Sequence, residues 1–456
     1  MDTLQQNAPR AIVVGGGIAG LIASIRLAQW NQNLSVSLYE KGESLGGRAR
    51  TTHRDDVYFN QGPHALYIGG ATHQSLKELG VAIRGKSPNP PKQFMVRGGR
   101  AYALPLTFAN LIKTRGLSAR AKWELLRFMS QLPELDWTLR QGCTVEDWLN
   151  ESFRTAGVRD FLRLMIRLTT YCNDPHLQSA GVAIRQLQLG MQGGLYLDGG
   201  WQSLVDQLIQ IAIEAGVIIH SHANVETIEV EQGRAVGIVL KDGEKRTGDA
   251  VIVATTLQEA ARLIPATAAN EIHERARRGV PVRMASLDIA LEPVPRPKNA
   301  FALGMDKPVY LSNHSLAAKL SDRASVFHVA YYLSHEEDGQ TVRPELESLL
   351  DLVQPGWRNV TAASRFLPNM LAASAVDDAA SGGFVGRPEV AVAETRGLFV
   401  CGDWVGGEGL LVDASAASAE RAAKLVLQLI TEGGTKSPSQ VLRGGLLQYQ
   451  YSGEGA

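Results

Sequence analysis

Apolar residues along this chain fall into continuous runs, strict alternation and three-to-four spacing, and each pattern predicts a different element. Ala11 to Val14 form an unbroken apolar run that predicts a buried strand. Directly after it, Ile18, Leu21, Ile22, Ile25 and Leu27 recur at the spacing of a helix face, and a second strand is predicted over Leu34 to Tyr39. From about residue 70 to about 190 the pattern is mostly helical. Thr144 with Asp147 marks a helix start there, and Phe161, Leu162, Met165, Ile166 and Leu168 make a long apolar face read as core. Apolar positions at 204, 205, 208, 209 and 212 predict a helix that runs through Gly216 into a strand, Val217 to His220. Alternating runs broken at Gln232-Gly233 and Asp242-Gly243 predict antiparallel hairpins, followed by a buried strand from Ala250 to Ala254. A mixed stretch from about 266 to 384 holds predicted strands at 284–291 and 325–333. Near the end, RGLFVCGDWVGGEGLLVDASAASAERAAKLVLQLI predicts a strand, a glycine-rich turn and a helix of small residues.

The junction between the first strand and the first helix carries chemistry. Gly15, Gly17 and Gly20 fit G-x-G-x-x-G. Gly15 permits a tight turn, Gly17 lets a pyrophosphate approach the backbone, and Gly20 lets the helix pack on the strand. The second strand ends in Glu40, 20 residues past Gly20, where an acid can hold a ribose hydroxyl. Strand, glycine turn, helix and acid together predict a dinucleotide site.

Length and charge narrow the rest. A chain of 456 residues exceeds what one core usually fills. Basic and acidic residues number 46 each, so no net field points to nucleic acid. Cys143, Cys172 and Cys401 lie far apart, which suits a reducing compartment and offers no metal spacing. The opening MDTLQQNAP lacks the pattern of a signal peptide, and no run reaches the ~18 apolar residues of a spanning helix. These features predict a cytoplasmic protein with no metal. The stretch from Gly433, rich in Gly, Ser and Gln, reads as a flexible tail over 433–456.

Five stretches, taken in order, resemble the FAD-dependent amine oxidase and phytoene desaturase superfamily, which includes protoporphyrinogen oxidase: VVGGGIAGL, LYEKGESLGGRA, YFNQGPHALY, GGWQSLVDQL with its hairpins, and GLFVCGDWVGGEGLL. The resemblance covers nearly the whole chain. It implies an α/β fold in which a discontinuous, Rossmann-like FAD-binding domain (GR2-type) is interleaved with a mixed α+β substrate domain. The FAD-binding segments would be 8–70, 195–265 and 385–432, and the substrate segments 71–194 and 266–384. It places Gly15, Gly17, Ile18, Ala19, Gly20, Glu40 and Lys41 with the cofactor. Gly46, Gly47 and Arg48 resemble the family's second glycine pair with its arginine, which neighbours the phosphates. Gly62, Pro63 and His64 would lie near the flavin, and Val225 matches the hairpin position whose backbone meets the adenine. Gly402 and Asp403 would lie beside the pyrophosphate and ribityl chain. Gly409, Leu410 and Leu411 would open the last helix, whose dipole could stabilise charge on a reduced flavin.

Departures from the family pattern bear on the reaction. Amine oxidases commonly place a tyrosine in the turn before the last helix, where this chain has EGLLVDAS. They often carry a lysine on a substrate-domain strand, and the comparable PVRMASLDIAL has none. Both absences favour dehydrogenation of a largely apolar small molecule, as in the phytoene desaturase-related branch, with hydride passing to flavin N5. The alternatives are a flavin amine oxidase releasing hydrogen peroxide and a non-catalytic lipid- or protein-binding module. His64 is the candidate general base, and the alternative is a histidine that holds its own loop. Cys401 is read as a small buried residue. Residues 110–128 carry Lys113, Arg115, Arg120, Lys122 and Arg127 beside Trp123, Leu125, Leu126 and Phe128, which reads as a basic amphipathic helix. Such a helix is a candidate for peripheral membrane contact, with a solvated lid as the alternative. The oligomeric state is not predicted.

Overall fold

A computed structural model of the chain describes residues 8–432. The expected tail, 433–456, and the first seven residues of the chain lie outside the described residues. The apolar run at the start forms the strand Arg10–Val14, the centre of a five-stranded parallel sheet. Its neighbours are Ser35–Tyr39 on one side and Ala250–Val253 on the other, with Ile218–His220 and Leu398–Val400 at the edges. Ser35–Tyr39 and then Ile218–His220 add on one side of the central strand, and Ala250–Val253 and Leu398–Val400 add on the other, so a topological switch point lies between Val14 and Val253.

The helix Ile18–Trp30 follows the central strand and is buried on nearly every side from Ile18 to Ala28. It packs against Gln202–Glu214 and against the last helix, Val412–Thr431. Ala416, Ala419, Ala422 and Ala423 of the last helix are fully buried, which is why a run of small residues serves there. Arg26, buried inside this contact, is satisfied by Glu420 at 2.8 Å and Glu78 at 2.6 Å. Both Gln232 and Gly233 have positive φ, 49° and 74°, giving the twist of a tight hairpin between Val225–Glu231 and Arg234–Leu240.

A seven-stranded mixed sheet forms the second part, with Val282–Leu291 paired to Ser325–Leu333 on one side and to Thr361–Ala373 on the other. The helix Arg343–Val353 covers one face through Leu346, Leu349 and Leu350. A helical layer, including Ala119–Gln131, Val145–Ser152, Ala156–Thr170 and Ala180–Gly190, covers the other. Thr144 caps its helix as the sequence indicates, its hydroxyl accepting from Asp147 N at 3.0 Å.

The expected single helix over 110–128 is two helices, Phe108–Lys113 and Ala119–Gln131. Ser118 starts the second by accepting from Ala121 N at 3.2 Å, and Gly116 sits where a side chain would meet Met95 Cε at 2.5 Å. A capping hydroxyl and a tightly packed glycine break a pattern that apolar spacing alone reads as continuous. Leu125 is 1% exposed against the sheet while Trp123 is 65% exposed. Leu125→Ala is therefore expected to cost about 2–4 kcal/mol in urea unfolding, and Trp123→Ala less than about 0.5 kcal/mol.

Candidate active site

The first turn is built by backbone crowding. A side chain at Gly20 would begin 1.9 Å from Gly15 O, and one at Gly15 would begin 2.4 Å from Ala254 O. Gly17 differs: its φ of −76° suits any residue, and nothing lies within 4 Å of where a side chain would start. The space in front of Gly17 is the floor of a cavity of about 530 Å³ over the carboxyl ends of the parallel strands. The first helix opens onto it with no side-chain cap and no acid in its first turn, so its first N–H groups and dipole end face the cavity.

Most of the residues anticipated from sequence line this cavity: Gly15, Gly17, Ile18 and Ala19 at the turn, Glu40 and Lys41 after the second strand, and Gly46, Gly47 and Arg48 across from them. Pro63, His64, Val225, Gly402, Leu410 and Leu411 complete its walls. Glu40 is anchored by Gly16 N and Gly42 N, each donating at 2.8 Å to a different carboxylate oxygen. Lys41 lies on the rim, 3.4 Å from Glu259.

Four anticipated residues stand behind the wall instead. Gly20 is used up in helix packing. Gly62 makes the turn that presents His64, and a side chain there would begin 2.5 Å from Met370 Cε. Gly409, at φ 74°, leaves no room before Ala414 N at 2.9 Å. Asp403 is buried and acts through Arg48, holding it at 2.9 Å while accepting from Ser374 N at 2.7 Å. Burial pushes the Asp403 carboxyl up, but Arg48 and Ser374 outweigh it and keep it below the ordinary carboxylate value.

The structure adds a residue that no motif signalled. Arg387 pairs with Asp377 through two 2.7 Å bonds and donates to Gly409 O at 3.0 Å and Gly406 O at 3.3 Å. A buried ion pair thus fixes the turn before the last helix. That helix also opens onto the cavity without a side-chain cap. Cys401 is fully buried, and burial pushes its thiol up to about 12.

A second cavity, about 430 Å³, adjoins the first and shares Pro63, His64, Ala65, Tyr67 and Tyr171 with it. Phe161, Leu162, Met165 and Leu168 belong to the core or pack against it, as expected, and also form walls of this cavity. Helical spacing says only that a face is covered, and here part of what it faces is empty space. Among the described residues no Asp, Glu, Lys or Arg lines it. Its tyrosines, which include Tyr67, Tyr171 and Tyr332, come from separate elements and carry no local signature. Tyr171 sits at φ 62°, a strained value for an aromatic residue, and its hydroxyl donates to Pro63 O at 3.0 Å.

His64 stands where the two cavities meet. Its Nδ1 lies 3.1 Å from Gly62 O, an acceptor, so Nδ1 carries the proton and Nε2 keeps its lone pair. Burial, foremost, lowers its pKa to about 4, leaving a neutral imidazole at pH 7.

Residues 18–286 match the profile of the flavin containing amine oxidoreductases. The chain belongs to this family. The cofactor of this flavoprotein is FAD, and the open floor at Gly17 beneath an uncapped helix N-terminus fits its pyrophosphate. Among curated relatives, 4,4'-diapolycopen-4-al dehydrogenase of Metabacillus indicus is 24% identical over 288 residues, 56% of this chain and 57% of that protein. The 4,4'-diaponeurosporene oxygenase of Staphylococcus aureus is 25% identical over 280 residues, 53% of this chain and 54% of that one. The matched region thus spans about half the length of these relatives. An oxidoreductase from Methanosarcina mazei shares the fold at a TM-score of 0.71 and 18% identity, over 91% of this chain and all of that one (100%).

Gly17→Val is expected to leave folding intact and abolish flavin absorbance in the purified protein. Gly20→Val should instead yield little folded protein, seen as a lost cooperative melt. A second expectation concerns pH. The folded state keeps His64 unprotonated down to about pH 4, while the unfolded chain takes up that proton near 6.5. The unfolded state binds more protons in this window, so stability falls as pH drops from about 6.5 to about 4. His314, held well below its ordinary value by burial, acts with the same sign. His64→Asn should flatten part of that slope in urea unfolding across a pH series.

Proposed function

We propose that the protein dehydrogenates a largely apolar organic substrate in the second cavity, in the manner of the phytoene desaturase-related branch. One observation carries the reading: among the described residues no charged side chain lines this cavity, and it meets the first at Pro63, His64, Ala65, Tyr67 and Tyr171. Burial keeps both of its imidazoles, His64 and His314, below their ordinary pKa and so neutral near pH 7, and among the described residues no carboxylate lines the cavity to receive a cationic amine. The names of the two curated relatives support an oxidoreductase.

FAD, when bound, supplies the hydride acceptor, flavin N5. In this reading the first helix and Gly17 receive the pyrophosphate, Glu40 takes a ribose hydroxyl, and Arg48 lies close to the phosphates. Leu410 and Leu411 bring the positive end of the last helix beside the flavin ring. Forming a C=C bond removes one hydride and one proton from adjacent carbons, and His64 Nε2 receives the proton. The apolar walls exclude water and hold the substrate against the junction. Membrane contact is part of the same proposal. Phe108, Ile112, Trp123 and Leu126 are exposed beside Lys113, Arg115, Arg120 and Arg127, and Leu106 belongs to both this surface and the cavity wall. Lys122 Nζ donates to Ile112 O at 2.7 Å and ties the two short helices together. Apolar side chains ringed by cations suit an anionic lipid surface, from which a lipophilic substrate enters. Among the described residues no helix is long and apolar enough to cross a membrane.

The test is anaerobic bleaching of flavin absorbance. Polyenes should bleach it and simple amines should not; bleaching by amines, with hydrogen peroxide on return to air, would establish the amine oxidase instead. A colourless protein that takes up no added FAD would point to the binding module. His64→Ala should keep the flavin spectrum and slow bleaching at least roughly tenfold; an unchanged rate would assign His64 to holding its loop. Trp123→Glu with Phe108→Glu should abolish co-sedimentation with anionic vesicles.

A further inference from the structure

Away from the junction residues His64, Tyr67 and Tyr171, polar side chains in the wall of the second cavity gather in one cluster that hydrogen-bonds within itself. Tyr196, on the strand Gly194–Leu197, has its hydroxyl 3.2 Å from that of Tyr310, on Val309–Asn313, and 3.2 Å from Ser312 Oγ. The Tyr310 hydroxyl lies 3.2 Å from His314 Nε2, and the His314 ring stacks on Tyr196 with centroids 3.7 Å apart. Tyr196, Tyr310 and His314 all line the cavity, yet are only 6%, 3% and 1% exposed. A wall meant for hydrocarbon alone is more cheaply made of Phe and Leu, since polar groups lose water contact there.

A second polar layer stands behind the first. The His328 ring meets His314 edge-on at 4.4 Å. Its Nδ1 donates to Asp288 at 2.7 Å, and the other Asp288 oxygen takes Arg365 at 2.6 Å. Burial pushes the Asp288 carboxyl up, but His328 and Arg365 outweigh it and hold it below its ordinary value, so the carboxylate accepts and Nδ1 carries the proton. His328 Nε2 is buried and makes no hydrogen bond. The ion pair is thus screened from the cavity by His314 and the tyrosines, and the face offered to a ligand is polar without being charged.

We infer that the second cavity takes a substrate with one uncharged oxygen function, a hydroxyl or carbonyl, on an otherwise hydrocarbon body, and that this oxygen docks at the Tyr196–Tyr310 hydroxyl pair. The inference rests on the proposed role of this cavity as the substrate site. Either hydroxyl can be the donor in the Tyr196–Tyr310 and Tyr196–Ser312 contacts, so the pair offers either a proton or a lone pair. A carboxylate would require a cation in the wall and an ammonium group an anion, and the cavity lining has neither.

The test uses the purified FAD-loaded protein and three probes of one carbon skeleton: retinol, retinal and their parent hydrocarbon, with binding followed by polyene absorbance. Wild type should bind the alcohol and aldehyde more tightly than the hydrocarbon. Tyr310→Phe and Tyr196→Phe, each with flavin spectrum and melting temperature checked, should weaken alcohol and aldehyde roughly three- to tenfold and leave the hydrocarbon within about twofold. Equal binding of all three probes by wild type would overturn the inference while leaving the apolar-substrate reading standing. Equal losses for all three in both variants would do the same, assigning the tyrosines to packing. Binding of none of the probes would remove both.

Discussion

The near-contact of three backbone segments governs this molecule. Gly15, Gly20 and the carbonyl of Ala254 approach so closely that a Cβ on either glycine would overlap backbone. That approach seats the first helix against the central strand and leaves its N-terminus at the switch point of the sheet. Everything that forms the larger cavity is then placed relative to this corner. Glu40 ties back to the turn through Gly16 N, and the last helix packs along the first. A dinucleotide-binding fold accepts glycine here because the alternative is no close approach at all.

From that corner the molecule separates charge from hydrocarbon. The first cavity keeps Glu40, Lys41 and Arg48 on its surface, while the second has tyrosines, imidazoles and apolar walls. Buried ion pairs do the holding from outside: Asp403 sets Arg48, Arg387 with Asp377 sets the turn before the last helix, and Arg365 with Asp288 lies behind the imidazoles. Each pair is buried on at least one side, so removing one partner would strand the other charge. Their effect is to hold loops at the cavities without placing charge where a hydrocarbon would lie.

Much of the first cavity was legible in order along the chain, because its parts are local: a glycine turn, an acid at a strand end, a second glycine pair. Gly20 was read as the helix-packing glycine and serves as one, whereas Gly62 and Gly409 were recognised as special but not by which side they face. Sequence shows that a position tolerates no side chain; it does not show whether cofactor or backbone occupies the space. The same limit hid that Phe161, Leu162, Met165 and Leu168, which pack in the core as expected, also form a cavity wall. The broken helix at Gly116 escaped because Met95 and Tyr102, which crowd it, are contacts made by folding.

By itself the sequence determined the strand–turn–helix corner, the family resemblance and the lack of charge bias, all properties carried by neighbours a few residues apart. Only the tertiary structure decided that Tyr196, Tyr310, His314 and His328 stand together, that Arg387 reaches Gly409, and that the second cavity is free of charge. Those groupings join residues from separate segments, Tyr196 and Tyr310 114 positions apart and Arg387 and Gly409 22 apart, and their meeting depends on sheet register and loop packing, which short-range pattern does not encode.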